Sequence, residues 1–229
     1  MNPQMRILLA GHTGLVGGAV RRSLERRGFE RLILRSVEDV DLTDQTATRA
    51  LFQAELPDAV IVAAAKVGGI LANSREPYEF IAVNLSIEVN VIGAAFRSGV
   101  QKLIFLGSSC IYPRLAPQPL REEYLLTGPL EETNRPYAIA KIAGIELCRS
   151  LNREYGTDFL SLMPTNLYGP GDSFDLQSSH VVPAMIRKFH EAKLGLPDEL
   201  GRPREPNAPV VLWGSGTPRR ELLYVDDLA

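Results

Sequence analysis

Short apolar runs alternate with longer stretches in which apolar residues recur at helical spacing. RILLA (6–10), RLILR (31–35), AVIVAAA (59–65), KLIFLGS (102–108) and FLSLMP (159–164) read as strands. Residues 15–27, 43–55, 77–98 and 136–155 read as helices. Gly28, Gly99 and Gly156 stop three of them, Pro57 follows the second, and Pro136 suits the first turn of the last. Strands of continuous Val, Ile and Leu separated by helices predict a parallel sheet covered on both faces. That is a Rossmann-like, doubly wound α/β fold. Beyond about residue 167 Pro and Gly become frequent, most of all in 195–210, which reads as an exposed loop. A helix over 181–193 and short strands at 210–213 and 222–225 are expected. The closing YVDDLA reads as the start of a helix with no cap or stop behind it, so a truncated chain is expected.

The 229 residues carry 25 Lys and Arg against 27 Asp and Glu, a net charge of −2. That balance gives no reason to expect nucleic acid or an anionic membrane as partner. Two cysteines, Cys110 and Cys148, make no disulfide framework, and a cytoplasmic protein is expected. The opening MNPQMRILLAG lacks the long apolar region and cleavage pattern of a signal peptide. No apolar stretch is expected to approach the roughly 20 residues that span a bilayer, and no metal site is expected.

GHTGLVG (11–17) falls between the first strand and the first helix, with glycines at 11, 14 and 17. The first permits a tight turn, the second lets backbone approach a pyrophosphate, and the third allows close helix–sheet packing. The helix N-terminus adds donors and positive potential. Gly11, His12, Thr13, Gly14, Leu15, Val16 and Gly17 are therefore candidate dinucleotide contacts; His12 also reads as a structural residue. The second strand ends in Arg35-Ser36, with no acid until Glu38. An acid there binds a ribose 2′-hydroxyl and an arginine accommodates a 2′-phosphate, so NADP is favoured over NAD. Asp41 can flank the adenine or start the second helix.

Tyr137 and Lys141 stand four residues apart, on one face of a helix. A phenol has a free pKa of about 10, and a neighbouring ammonium favours its anion. Ser108, at the end of the fourth strand, can orient a carbonyl beside them. The trio suits proton transfer to a carbonyl oxygen while a cofactor moves hydride. Taken alone, Cys110 reads as either a packing residue or an acid, and His180 as a polar residue near a helix start after Ser178 and Ser179. His190 is left as structural or solvent-exposed, and Cys148 as core.

GHTGLVG, GSSCIYP, PYAIAK and PTNLYGPGD together resemble the extended short-chain dehydrogenase/reductases that act on nucleotide sugars. AAAKVGGILAN (63–73), GSSCIYP and PYAIAKIAGIELC are similar to the GDP-L-fucose synthase family, and the resemblance runs from residue 6 to the end. It implies conversion of GDP-4-keto-6-deoxy-D-mannose to GDP-L-fucose with NADPH. Residue by residue, it implies Ser108, Tyr137 and Lys141 as the reductase triad and Cys110 and His180 as the epimerisation pair. Leu106, Gly107, Ser108, Ser109, Lys141, Pro164, Thr165, Asn166, Leu167 and His180 would line the cofactor. Lys188, Trp213 and Arg220 would bind the GDP-sugar. It also implies a dinucleotide domain at 1–167 and an incomplete substrate domain at 168–229, with a loop at 195–209 longer and richer in proline than is usual. Helices 77–98 and 136–155 carry more apolar residues than one buried face needs. Deep burial in a monomer accounts for that; the resemblance implies instead a homodimer through a four-helix bundle. The rivals are a plain epimerase or dehydratase on another nucleotide sugar, and a non-catalytic dinucleotide sensor. Ser109-Cys110 argues against a dehydratase, and the presence of both Tyr137 and Lys141 against a sensor.

Overall fold

The computed structural model describes residues 2–229 apart from Gln177, Glu199 and Trp213. Five parallel strands form the main sheet: β1 (Ile7–Ala10), β2 (Leu32–Ile33), β3 (Ala59–Val62), β4 (Lys102–Leu106) and β5 (Phe159–Leu162). Their order is β2-β1-β3-β4-β5. The helices between them are α1 (Leu15–Arg26), α2 (Gln45–Glu55), α3 (Ile70–Arg75), α4 (Pro77–Arg97) and α5 (Arg135–Tyr155). From β1 the chain steps outward to β2, then reverses and returns past β1 to β3, β4 and β5. Right-handed crossovers then put α1 on one face and α2, α4 and α5 on the other. The core divides accordingly. Ile7, Leu9 and Ile61 pack with Leu24 of α1. Leu8, Val60, Val62 and Phe105 pack with Phe52, Val91 and Ile145 of the other three helices.

Burial departs from the sequence reading at one edge. β1 and β3 are buried on both faces. β4 alternates, and Leu160 and Leu162 of β5 are exposed, so among the described residues α1 does not reach across to the β4–β5 end. β2 pairs over two residues only, because Arg35 and Ser36 enter a side-chain-bonded turn instead of extending the strand. The second helix starts two residues later than expected. Asp44 is its N-cap, accepting from the N–H groups of Thr46 and Ala47, while Asp41 closes a turn onto Thr43.

α4 corrects another expectation: by length and composition it is apolar enough to cross a membrane. Here it packs against α5 and α2, and Asn84, Glu88 and Asn90 are among its buried residues. Beyond β5 come β6 (Asn166–Tyr168), α6 (Val181–Leu194), β7 (Leu222–Tyr224) and α7 (Val225–Leu228). β6 and β7 form a separate parallel pair. Residues 210–212 form no strand, and the rest of that expected strand, Trp213, lies outside the described residues. α7 docks on α1: the Arg22 guanidinium donates to Asp226 at 2.7 Å, and Val225 is fully buried.

Candidate active site

The glycine loop lies at the C-terminal end of β1, beside the point where strand order reverses, which is where open α/β sheets bind ligands. Gly11 turns at φ +84°, and a Cβ there would stand 2.5 Å from the Ala64 nitrogen. A Cβ at Gly17 would stand 2.0 Å from the Gly11 oxygen, so this glycine permits the helix to start against the loop. Gly14 differs. It is the N-cap of α1, without a side-chain cap, and a Cβ there would meet only the Gly11 oxygen at 3.6 Å. The helix start at Gly14 therefore has room beside it, and the N–H groups that a first turn leaves unbonded would make it a cradle that fits a pyrophosphate. Among the described residues, His12 Nδ1 is buried with no hydrogen-bond partner.

At the end of β2 the Arg35 guanidinium donates to the Leu34 carbonyl and pairs with Glu55 of α2. Asp39 accepts from the Ser36 N–H and hydroxyl, which hold its carboxyl below the ordinary range. The strand end thus offers a cation and a hydroxyl, with its nearby acid engaged by Ser36, a set that fits a 2′-phosphate.

Tyr137 and Lys141 lie in the first two turns of α5, with Pro136 in the first. Lys141 is 2 % exposed, with its Nζ 5.8 Å from the Tyr137 ring centre and 4.7 Å from that of Phe105. Burial pulls the ammonium's pKa down, and Glu88 pulls it back up. The Tyr137 phenol corrects the expectation that Lys141 lowers it: burial pushes it up, the charges of Cys110 and Glu88 add to the rise, and hydrogen bonding from Ser108 opposes it. Phe80 packs edge-on to the Tyr137 ring at 6.3 Å.

Cys110 sits in the 3₁₀ turn Ser109–Ile111 that follows β4. Burial raises its thiol; Ser108 and then Lys141 lower it. Ser108 therefore bears on both Cys110 and Tyr137, so Ser108, Cys110, Tyr137 and Lys141 come together. Cys110 opens onto a cleft of about 460 Å³ whose lining includes Ile70, Tyr112, Arg114, Glu131 and Arg220. Lys188 does not line it: its Nζ lies 3.4 Å from the Val211 carbonyl. The expected site residue Trp213 lies outside the described residues.

His180 is the exposed N-cap of α6, and no side chain caps the helix there. Its approach is fixed by Gly69, whose N–H donates to the Ser178 carbonyl at 2.9 Å and whose missing Cβ admits the Ser179 oxygen. Burial raises the Asp172 carboxyl, and the charge of His180 opposes that rise. Leu106 ends β4, and the Gly107 N–H donates to the Leu162 carbonyl. The segment after Pro164 turns toward β7: Thr165 and Asn166 side chains both donate to the Glu221 carbonyl.

Two groups near the site escaped the sequence reading. Glu88 is the one charged residue in the apolar run 80–96, which was its signal. Asn84 binds both backbone groups of Lys66 and so fixes the 63–69 loop; a buried asparagine on an apolar helix was the corresponding signal.

A sequence model of the NAD dependent epimerase/dehydratase family matches residues 7–229. The chain is 55 % identical over 227 residues to a GDP-L-fucose synthase of Escherichia coli (strain K12), covering 99 % of this chain and 67 % of that one. A GDP-D-glycero-L-gluco-heptose synthase from Campylobacter jejuni, solved in the presence of NADPH, superposes with a TM-score of 0.91 at 38 % identity, covering 100 % of this chain and 72 % of that one. A GDP-L-fucose synthetase from Naegleria fowleri bound to NADP gives 0.86 at 31 % identity, covering 100 % and 71 %. The chain spans about two thirds of the length of the curated relatives it matches.

Proposed function

The chain belongs to the NAD dependent epimerase/dehydratase family, in its GDP-L-fucose synthase branch, and from that premise we propose that it converts GDP-4-keto-6-deoxy-D-mannose to GDP-L-fucose with NADPH. The observation that most supports this reading is the gathering of Ser108, Cys110, Tyr137 and Lys141 at the C-terminal end of the sheet, beside the glycine loop. A hydroxyl pair that can bind one carbonyl oxygen, with a thiol beside it, is more than a plain reductase needs.

The sugar's 4-keto group acidifies the hydrogens on C3 and C5. Removing one leaves an enolate, and returning a proton to the opposite face inverts the carbon. Cys110 and His180 are the acid–base pair for these exchanges; Ser108 and Lys141 oppose the rise that burial gives the Cys110 thiol. The Ser108 and Tyr137 hydroxyls hold the C4 oxygen and stabilise its developing charge. Bound NADPH supplies the hydride that reduces C4. Tyr137 gives its proton to the oxygen, and Lys141 keeps a positive charge beside the phenol. Gly11 to Gly17 would hold the pyrophosphate, and Arg35 with Ser36 the 2′-phosphate. Leu106, Gly107, Ser109 and the 164–167 segment would line the nicotinamide end, and Arg220 with Lys188 and Trp213 the GDP-sugar. Residues 168–229 supply part of the substrate-binding region.

The cytosol fits this biosynthetic role. α4 and α5 pack on each other while Tyr78, Val89 and Ile139 remain exposed on them. That face supports a homodimer built as a four-helix bundle.

Incubation with the keto-sugar and NADPH in heavy water tests the function. Deuterium at C3 and C5 with one NADPH oxidised per sugar is expected. Deuterium without NADPH consumption would make it a plain epimerase, and NADPH binding with neither outcome a sensor.

A further inference from the structure

Behind the proposed proton donor lies a carboxylate that the reaction above does not use. Glu88 is on α4, 1 % exposed, in a run otherwise free of charge. Its Oε1 lies 3.4 Å from Lys141 Nζ. Among the described residues neither carboxylate oxygen has a hydrogen-bond partner, so this ion pair is the main compensation for its burial. Burying such a pair is costly, and an apolar residue of similar volume is often as stable there. A charge kept at this depth therefore asks for a role.

The packing is shaped around it. Gly144 follows Lys141 by three residues on α5, facing α4. A Cβ at Gly144 would stand 3.1 Å from Glu88 Cδ and 2.4 Å from Phe105 Cζ. The missing side chain lets Glu88 and the Phe105 ring close on Lys141 from inside the fold, with the Tyr137 ring at its outer end.

We propose that Glu88 is a positioning residue, which holds Lys141 charged and aimed at Tyr137 from the interior of the protein. This rests on the reading of Tyr137 as proton donor. Burial by itself drives Lys141 toward the neutral amine, and Glu88 supplies the opposing pull. Burial pushes Glu88 up to about 7. The other titratable groups bearing on the pair are Tyr137 and Cys148 of α5 and Cys110 after β4. Lys141 is the one cation among them, and of the groups that favour its charged form Glu88 is the larger and Cys110 the smaller, so removing Glu88 takes away most of what holds the proton. The tyrosine would then face an amine in place of an ammonium.

The test is Glu88→Gln, which keeps shape and removes charge, in the full chain. Carbon-13 NMR titration of Lys141 Cε in the cofactor-free protein should show its midpoint falling by about one pH unit or more. The alkaline limb of kcat for NADPH oxidation should move down with it. At neutral pH kcat should fall by about tenfold, with KM for the GDP-sugar unchanged. Glu88→Met carries the same expectation and suits the apolar surroundings if the glutamine variant fails to fold. A folded variant whose Lys141 midpoint stays at the wild-type value overturns the proposal. Wild-type protein that oxidises no NADPH with the keto-sugar overturns the functional reading instead, and the NMR midpoint still decides the role of Glu88.

Discussion

Asn84 and Lys66 are joined by a reciprocal pair of hydrogen bonds. The Lys66 N–H donates to Asn84 Oδ1 at 2.9 Å, and Asn84 Nδ2 donates to the Lys66 carbonyl at 2.9 Å. One buried side chain of α4 thus does for the loop after β3 what a neighbouring strand would do. The same loop carries Gly69, against which the approach to His180 rests. Asn84→Ala leaves two backbone groups without partners and should cost about 1–3 kcal/mol in urea unfolding. The slackened loop should also raise KM for the GDP-sugar more than it lowers kcat.

Gly144→Ala should destabilise the fold by about 1–3 kcal/mol, since its Cβ cannot coexist with Phe105 as placed. Relief requires α5 to move off β4, which carries Lys141 with it. Thermal unfolding and NADPH oxidation by the one variant should both decline; wild-type values in both would show that the contact is loose.

Tyr137→Phe removes the proposed proton donor and little volume. Reduction should fall by about 10²- to 10⁴-fold, while NADPH affinity, read by fluorescence titration, stays near wild type. Turnover at the wild-type rate would remove Tyr137 from the chemistry.

Arg35 is paired with Glu55. Arg35→Ala should lower the preference for NADPH over NADH by about ten- to hundredfold, the worth of a charge-assisted hydrogen bond. Glu55→Gln should shift the preference the other way by freeing the guanidinium. Equal effects on both cofactors would show that Arg35 does not meet the 2′-phosphate.

The Glu88 carboxyl gives a pH signature in stability. Its folded pKa, about 7, lies above the ordinary glutamate value of 4.5. The folded state therefore binds this proton more tightly, and the resulting stability is present at low pH and lost as pH rises to about 7. Glu88→Gln has no such proton. Comparing Tm values, wild type should lose ground to the variant as pH climbs from about 4.5 to about 7. A constant gap over that window would place the Glu88 titration elsewhere.

Much of this arrangement was legible from residue order. The apolar runs placed all five strands of the main sheet. The Tyr137–Lys141 spacing is a property of any helix, so its face needed no tertiary knowledge. Gly11, Gly14 and Gly17 announced a tight loop in their spacing, although only the folded loop separates the two that prevent clashes from the one that leaves space. What stayed hidden depends on long-range partners. Glu88 meets Lys141 only because Gly144 and Phe105, on two other elements, leave room. Asp41 and Asp44 both suit a helix start, and the choice of Asp44 follows from Thr43 engaging Asp41 first. The open face of Leu160 and Leu162 was invisible because the apolar run reads the same whether one side or both are covered.

The contact between α1 and α7 has a consequence for synthesis. Arg22 and Asp226 are 204 positions apart, and Val225 is sealed at the same junction. The glycine loop and its helix leave the ribosome first. The outer side of that helix gains its acidic partner only after some two hundred further residues have been translated. Until then α1 has a sheet on one side and water on the other. A nascent chain therefore passes through an interval in which its dinucleotide cradle is shaped but unbraced, when a bound nucleotide could steady it most.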